Sequence, residues 1–272
     1  MTKVSNTVQQ LLIFDSGVGG LSIFQEVIQQ SPNVSCYYLS DNAYFPYGEL
    51  DEQTLITRLT GLLDAFVKSH PVDMIVIACN SASTVALSSL RAHFCIPVVG
   101  VVPAIKPASL ISQNNIIGLV ATPATIERTY TRALIDEFAS DKEVLKLGST
   151  LLVKLAENKL TGKEVEQEAL AAVFAPWLTL NPQPDTLVLG CTHFPLLKDE
   201  IARCFENGVN LVDSGEAIAK RVATLLPPFK SERLTTAVSY QAFYTLQDRQ
   251  QLLLKSAFLN LGFESFLLYQ YA

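Results

Sequence analysis

The sequence predicts an α/β protein of two similar lobes, each a mainly parallel sheet flanked by helices. Three observations carry that prediction. Short apolar runs at 74–78 and 186–189 read as strands buried on both faces. Such runs alternate with longer segments of helical period, and that alternation implies a parallel sheet covered on both sides. The third observation is an internal echo. Ile75-Val76-Ile77-Ala78-Cys79-Asn80-Ser81 matches the pattern of Leu187-Val188-Leu189-Gly190-Cys191-Thr192-His193. Each is an apolar strand, a small residue, a cysteine, then two polar residues opening a helix.

In chain order, the run 11–14 stops at Asp15, and Gly17, Gly19 and Gly20 lead into a helix over 21–28. A strand follows at 34–39. Leu55, Ile56, Leu59, Leu62, Leu63, Phe66 and Val67 share one helix face, with Asp51 placed to cap it. Strand 74–78 opens a helix over 82–94, and 96–99 is the next strand. Near Gly100 the pattern restarts. It runs through a strand at 116–120, the turn-and-helix signal Ala121-Thr122-Pro123, helices over 127–138 and 164–178, and the strand ending at Gly190-Cys191. Asp141-Lys142-Glu143 reads as a solvated face. Asn207-Gly208 marks a turn before a strand at 209–212 and a helix over 215–225. The segment 237–244 alternates like a sheet-edge strand, and 253–258 is helical. Val212-Asp213-Ser214-Gly215 also echoes Phe14-Asp15-Ser16-Gly17.

Composition narrows the classes of function. With 272 residues, 49% hydrophobic and 17% charged, the chain can bury a sizeable core and is too poor in charge for disorder or a coiled coil. A net charge of −6 with no basic block argues against nucleic acid or an anionic membrane as partner. A mean hydropathy of +0.27 raises the membrane question. The longest uncharged stretches answer it, because Asn80, Pro97 and Pro103 interrupt them well short of a span. Asn6, Gln9 and Gln10 before the first apolar run do not fit an export leader. The expectation is a soluble cytoplasmic protein.

Five cysteines, no Cys-x-x-Cys and three histidines argue against a disulfide framework and against a zinc site. Ligands of open parallel sheets bind at the carboxyl ends of the strands, where Asp15, Cys79 and Cys191 fall. Cys79 and Cys191 also stand where a helix begins, a setting that favours thiolate and binds anions without an arginine. Cys36, Cys95 and Cys204 read as core residues. Buried cysteines are often small hydrophobes, and that reading stands beside the chemical one. Two similar cysteines in two lobes suit the inversion of a carbon centre without redox chemistry. One thiolate removes the proton from one face and a thiol returns one to the other. Asp15 is the candidate partner for Cys79 and His193 for Cys191. The bland alternatives are a solvated turn residue and a helix cap.

These blocks resemble the glutamate racemase family of the aspartate/glutamate racemase superfamily over nearly the whole chain. The likeness rests on Phe14-Asp15-Ser16-Gly17-Val18-Gly19-Gly20-Leu21, Asp41-Asn42 with Pro46-Tyr47-Gly48-Glu49, and Ala78-Cys79-Asn80. It continues through Gly100-Val101-Val102-Pro103-Ala104, Ala121-Thr122-Pro123-Ala124-Thr125, Gly190-Cys191-Thr192-His193-Phe194-Pro195-Leu196 and Val212-Asp213-Ser214. The resemblance implies cofactor-independent racemisation of L- to D-glutamate, supplying peptidoglycan synthesis, with no metal. It implies one lobe of 1–99 and 213–272, a second of 100–212, and an active site in the cleft between them. Cys79 would work on D-glutamate with Asp15 beside it. Cys191 would work on L-glutamate, assisted by His193 and Glu157. Glu157, in a looser match, reads equally as a solvated helix residue. Ser16, Pro46, Tyr47, Gly48, Asn80, Ser81 and Thr192 match substrate-binding positions. Asp15 and Ser16 would lie near the ammonium, and Asn80, Ser81 and Thr192 near the carboxylates. Ser81 departs from the family's usual threonine, which implies a slightly looser pocket. Family members differ in oligomeric arrangement and in activation by a cell-wall precursor, so a homodimer and such an activator both stay open.

Three other readings compete. A superfamily relative acting on aspartate would share both cysteines. A Cys–His hydrolase would use Cys191 and His193 but leave Cys79 unexplained. A two-lobed binding protein would leave a substrate's α-proton unexchanged.

Overall fold

In the computed structural model, which describes residues 8–227 and 237–271, the chain divides into two compact units. One runs up to Val101 and resumes at Gly215, and the other is Val102–Ser214. The first opens with β1 (Gln9–Asp15), α1 (Leu21–Gln30), β2 (Val34–Ser40), α2 (Glu52–Ser69), β3 (Met74–Ile77), α3 (Asn80–His93) and β4 (Val98–Gly100). The second holds α4 (Ile105–Ile111), β5 (Ile116–Ala121), α5 (Pro123–Glu127), α6 (Thr129–Phe138), β6 (Glu143–Gly148) and α7 (Leu151–Leu160), then α8 (Gln167–Leu178), β7 (Thr186–Leu189), α9 (Lys198–Ala202) and β8 (Asn210–Val212). The first unit resumes with α10 (Gly215–Leu225), β9 (Tyr240–Tyr244), α11 (Arg249–Asn260) and β10 (Ser265–Leu268).

Both sheets are parallel. Their strand orders are β10-β9-β2-β1-β3-β4 and β6-β5-β7-β8. The chain makes the same move in each. From β1 it goes to β2 on one side and then to β3 on the other, and from β5 to β6 and then to β7. A reversal of this kind opens a crevice at the carboxyl ends of the strands that flank it. Asp15 ends β1, Cys79 stands just past β3, and Cys191 stands just past β7. The two cysteine segments therefore echo each other because they hold equivalent places in two sheets.

Burial explains why the inner strands read so clearly. All residues of β3 and of β7 are buried, as are Leu11 to Asp15 of β1. In the first unit Leu12, Phe14, Ile75 and Ile77 pack with Leu55, Leu59, Leu62 and Phe66 of α2. That helix is capped as its sequence predicts, with Asp51 accepting from Thr54 N at 2.9 Å. In the second unit Ile117, Leu119 and Val188 pack with Ile105, Ala108 and Ile126. Among the described residues no helix is long and apolar enough to cross a membrane.

Several expectations need correction. The helix read over 127–138 is α6 and starts two residues later, because Arg128 is extended (φ −61°, ψ 137°) and separates it from α5. Thr131 Oγ1 donates across the break to Thr125 O at 2.6 Å. Asp141 and Glu143 are exposed, as a solvated face requires, and Glu143 also opens β6, whose half-exposed side chains mark an edge strand. β9 is not an edge, since β2 and β10 flank it; the edge is β10. Cys36 is fully buried, but Cys95 is exposed and Cys204 lies half-buried just past α9, so neither of those two is a core residue.

Candidate active site

In the first unit the site grows from the carboxyl ends of β1, β2 and β3. Asp15, wholly buried, turns its carboxylate back on the turn that follows. Oδ1 accepts from Gly17 N and from Ser16 Oγ, both at 3.3 Å, and Oδ2 accepts from Gly20 N at 2.5 Å. The carboxylate thus meets amide groups at the start of α1 that no residue of the helix itself can serve. Ser16 Oγ also lies 3.8 Å from Cys79 Sγ. One hydroxyl proton can go either way: to Asp15 while the sulfur is a thiol, or to the sulfur once it is a thiolate. Ser16 therefore joins Asp15 and Cys79 into one chain that adapts to either charge state.

Cys79 is buried, has extended backbone (φ −135°, ψ 118°) and is the N-cap residue of α3, with its carbonyl accepting from Ser83 N at 2.9 Å. The helix dipole there favours negative charge on the sulfur or on a bound anion. Asn80 and Ser81, both buried, form the first turn of α3. Asn80 Nδ2 is buried with no hydrogen-bond partner among the described residues. An unmet buried donor is costly, and a ligand oxygen would meet it. Pro46 follows a cis peptide, and Tyr47–Glu49 is a short 3₁₀ turn. The Tyr47 ring is buried and its hydroxyl donates to Asp41 Oδ2 at 2.6 Å. Burial, then the neighbouring Asp41, pushes the Tyr47 phenol well above its ordinary range. Pro46 and Gly48 are half-buried on the same turn.

In the second unit Cys191 does not open an α-helix. A turn follows it, with Phe194 N donating to Cys191 O at 3.0 Å, and then the 3₁₀ segment Phe194–Leu197. The turn aims His193 back at the cysteine. Its Nδ1 lies 3.7 Å from Cys191 Sγ, and its Nε2 lies 2.8 Å from Glu157 Oε1 on α7. His193 and Glu157 are both buried, so Glu157 is no solvated helix residue and His193 caps no helix with its side chain. Burial alone would lower the His193 pKa, but the hydrogen bonds and charges of Cys191 and Glu157 outweigh it and hold the imidazole well above its ordinary value. Thr192, between Cys191 and His193 in sequence, is also buried.

The second sequence echo does not extend to chemistry. Asp213, at the position matching Asp15, ion-pairs with Lys198 at 2.5 Å, and Ser214 Oγ donates to Val102 O at 2.5 Å. Among the described residues no group of three or more His, Cys, Asp or Glu side chains is arranged to hold a metal ion. Sequence reasoning gave no role to Arg58, which pairs with Asp41 behind Tyr47. Nothing local marks a bond to a residue a whole loop away.

A buried cysteine at the switch point of each sheet, with a charged or hydroxyl relay behind it, is equipped for proton transfer at carbon. The family model described as Asp/Glu/Hydantoin racemase matches residues 20–222. A glutamate racemase of Vibrio vulnificus is 49% identical over 265 residues, covering 97% of this chain and 98% of that protein. The crystal structure of Escherichia coli glutamate racemase in complex with L-glutamate and the activator UDP-MurNAc-Ala superimposes with a TM-score of 0.92 at 42% identity, covering 97% of this chain and 98% of that one. The Francisella tularensis glutamate racemase in complex with D-glutamate gives a TM-score of 0.76 at 25% identity, covering 98% of each chain.

Proposed function

Because the chain belongs to the Asp/Glu/hydantoin racemase family, we propose that it interconverts L- and D-glutamate, with Cys79 and Cys191 as the paired acid and base. The observation that carries the reading is that each unit offers one buried cysteine at the carboxyl end of its switch-point strand. Starting from D-glutamate, the Cys79 thiolate takes the α-proton. The electron pair left on carbon delocalises into the α-carboxylate, and the Cys191 thiol gives a proton to form L-glutamate. Cys79 ends as thiol and Cys191 as thiolate, so the reverse reaction uses the same groups with roles exchanged. Ser16 and Asp15 serve Cys79 through these charge states. His193, held as imidazolium beside Glu157, offsets negative charge on Cys191. Asn80, Ser81 and Thr192 receive the substrate carboxylates, and Asp15 with Ser16 the ammonium.

The similarity to the Escherichia coli enzyme, whose structure holds UDP-MurNAc-Ala as activator, supports a cell-wall precursor as activator here. D-Glutamate for peptidoglycan is the product in demand, and the reading carries a cytoplasmic site of action with it. The test follows the circular dichroism of L-glutamate with purified protein, with and without the precursor. The signal should decay to zero, while Cys79→Ser and Cys191→Ser each slow the decay by roughly 10²–10⁴-fold. A signal that stays flat in both conditions for glutamate, or that decays for aspartate instead, would overturn the assignment.

A further inference from the structure

The Tyr47 turn hangs from a buried ionic network that the chemistry above does not use. Asp41, wholly buried just past β2, is its centre. Its Oδ1 accepts from Arg58 Nη2 at 2.7 Å and from Thr245 Oγ1 at 2.7 Å. Its Oδ2 accepts from Arg58 Nε at 2.9 Å and from the Tyr47 hydroxyl at 2.6 Å. The Asp41 amide donates to Asp15 O at 2.9 Å, which ties the network to the end of β1. Arg58, on α2, is itself held. Its guanidinium lies over the Tyr44 ring at 4.4 Å and over the Tyr271 ring at 4.6 Å. One turn along α2, a Cβ at Gly61 would fall 2.3 Å from the Tyr271 hydroxyl, so glycine leaves that ring its place.

A buried ion pair adds little stability over apolar packing of the same volume, so its directional geometry is the more telling property. The two-pronged Arg58 fork fixes the plane of the Asp41 carboxylate. That carboxylate fixes the one proton Tyr47 has to give, and the phenol oxygen then offers only lone pairs elsewhere. Tyr47 belongs to the same buried cluster as Phe14 and Cys79, with its ring centroid 5.9 Å from that of Phe14.

Resting on the racemase reading above, we propose that Arg58 is a positioning residue for the Cys79 half of the reaction. Held by Tyr44 and Tyr271, it fixes Asp41, and Asp41 fixes Tyr47 and the Pro46-Tyr47-Gly48 turn packed with that cysteine.

Arg58→Met, Arg58→Lys and Tyr271→Leu test this with D- and L-glutamate deuterated at the α-carbon. A small misplacement of a binding turn costs rate, and Arg58→Met should lose about tenfold or more in kcat. The deciding readout is the deuterium isotope effect on kcat/KM. Slowing only the Cys79 step makes removal of deuterium from D-glutamate more rate-limiting, so that isotope effect rises. The effect with deuterated L-glutamate falls. Arg58→Lys, which keeps the charge without the fork, and Tyr271→Leu, which keeps the fork with less support, should shift both effects in the same sense by less. They carry the test if Arg58→Met does not fold. Isotope effects that stay at the wild-type values, or change equally for both enantiomers, would overturn the inference and leave the racemase reading standing. Wild-type protein inert toward both enantiomers would overturn that reading instead.

Discussion

A buried imidazole ordinarily loses its proton, because burial penalises the charged form. For His193 the direction is reversed, upward from the ordinary value, because Cys191 and Glu157 stand on its two ring nitrogens. Glu157 is the partner that can be removed without touching the cysteine. Glu157→Gln should lower the His193 pKa, because burial then acts against one counter-charge fewer. The imidazole proton, followed by NMR through a pH series, should leave at lower pH than in the wild type. The rate should fall by about tenfold, less than the ~10²–10⁴ of a group that itself transfers the proton. An unchanged titration of His193 would mean that Cys191 alone sets its charge.

At the scale of elements, the β1–α1 turn is tight because three strands converge on it. A Cβ at Gly20 would lie 2.9 Å from the Tyr38 hydroxyl on β2, 3.0 Å from Ala78 Cβ past β3 and 3.1 Å from Asp15 Cβ on β1. Gly20→Ala should therefore cost about 1–3 kcal/mol as neighbours shift to admit the methyl group. It should also lower activity, because Asp15 is one of the groups displaced. Thermal melting and a racemisation assay measure the two losses; a melting temperature at the wild-type value would show that the turn has slack. The same geometry explains what the sequence could tell. Strands β3, β5 and β7 are inside a sheet and read as uncharged apolar runs, as does β1 from Leu11 up to Asp15. Edge strands β6 and β10 face solvent on part of their surface, so their side chains mix and periodicity fades. The break at Arg128 is a backbone choice with no proline or glycine to mark it. At the site, Cys191 and His193 are near neighbours in sequence and legible as a motif. Glu157 lies 36 residues from His193 and its role came only from the family resemblance. Arg58 came from neither, because its partners Asp41, Tyr44 and Tyr271 meet it only in the folded chain.

Across the whole molecule, titrating groups set a pH window for stability, and two of them belong to the second unit. Asp185 is raised by partial burial but lowered more by the amides of Asn114 and Gln113, at 2.7 Å each, and by the hydroxyls of Ser112 and Thr186, at 2.8 and 2.9 Å. Its folded pKa is depressed, so its contribution is present above the ordinary carboxylate value of ~3.9 and lost as pH falls through the folded value. His193 has the opposite sign. Its folded pKa is raised, so its contribution is complete below ~6.5 and lost as pH rises through the folded value. Cys36, whose thiol burial pushes far up, steepens the alkaline decline above ~8.5, where the unfolded chain releases that proton and the folded chain keeps it. The expected profile is a plateau between about pH 4 and 6.5 with a falling limb on each side. Trp177, the single tryptophan, is buried in α8 of the same unit, so its fluorescence reads the unfolding of the unit that holds both groups. Urea unfolding followed at Trp177 over a pH series should show Asp185→Asn flattening the acid limb and His193→Asn the limb that begins near 6.5. Asp185→Asn should also cost about 1–3 kcal/mol on the plateau, because amides that met a carboxylate meet a weaker acceptor. Limbs of wild-type slope in both variants would mean that other carboxylates and the buried thiol, not these two groups, bound the window.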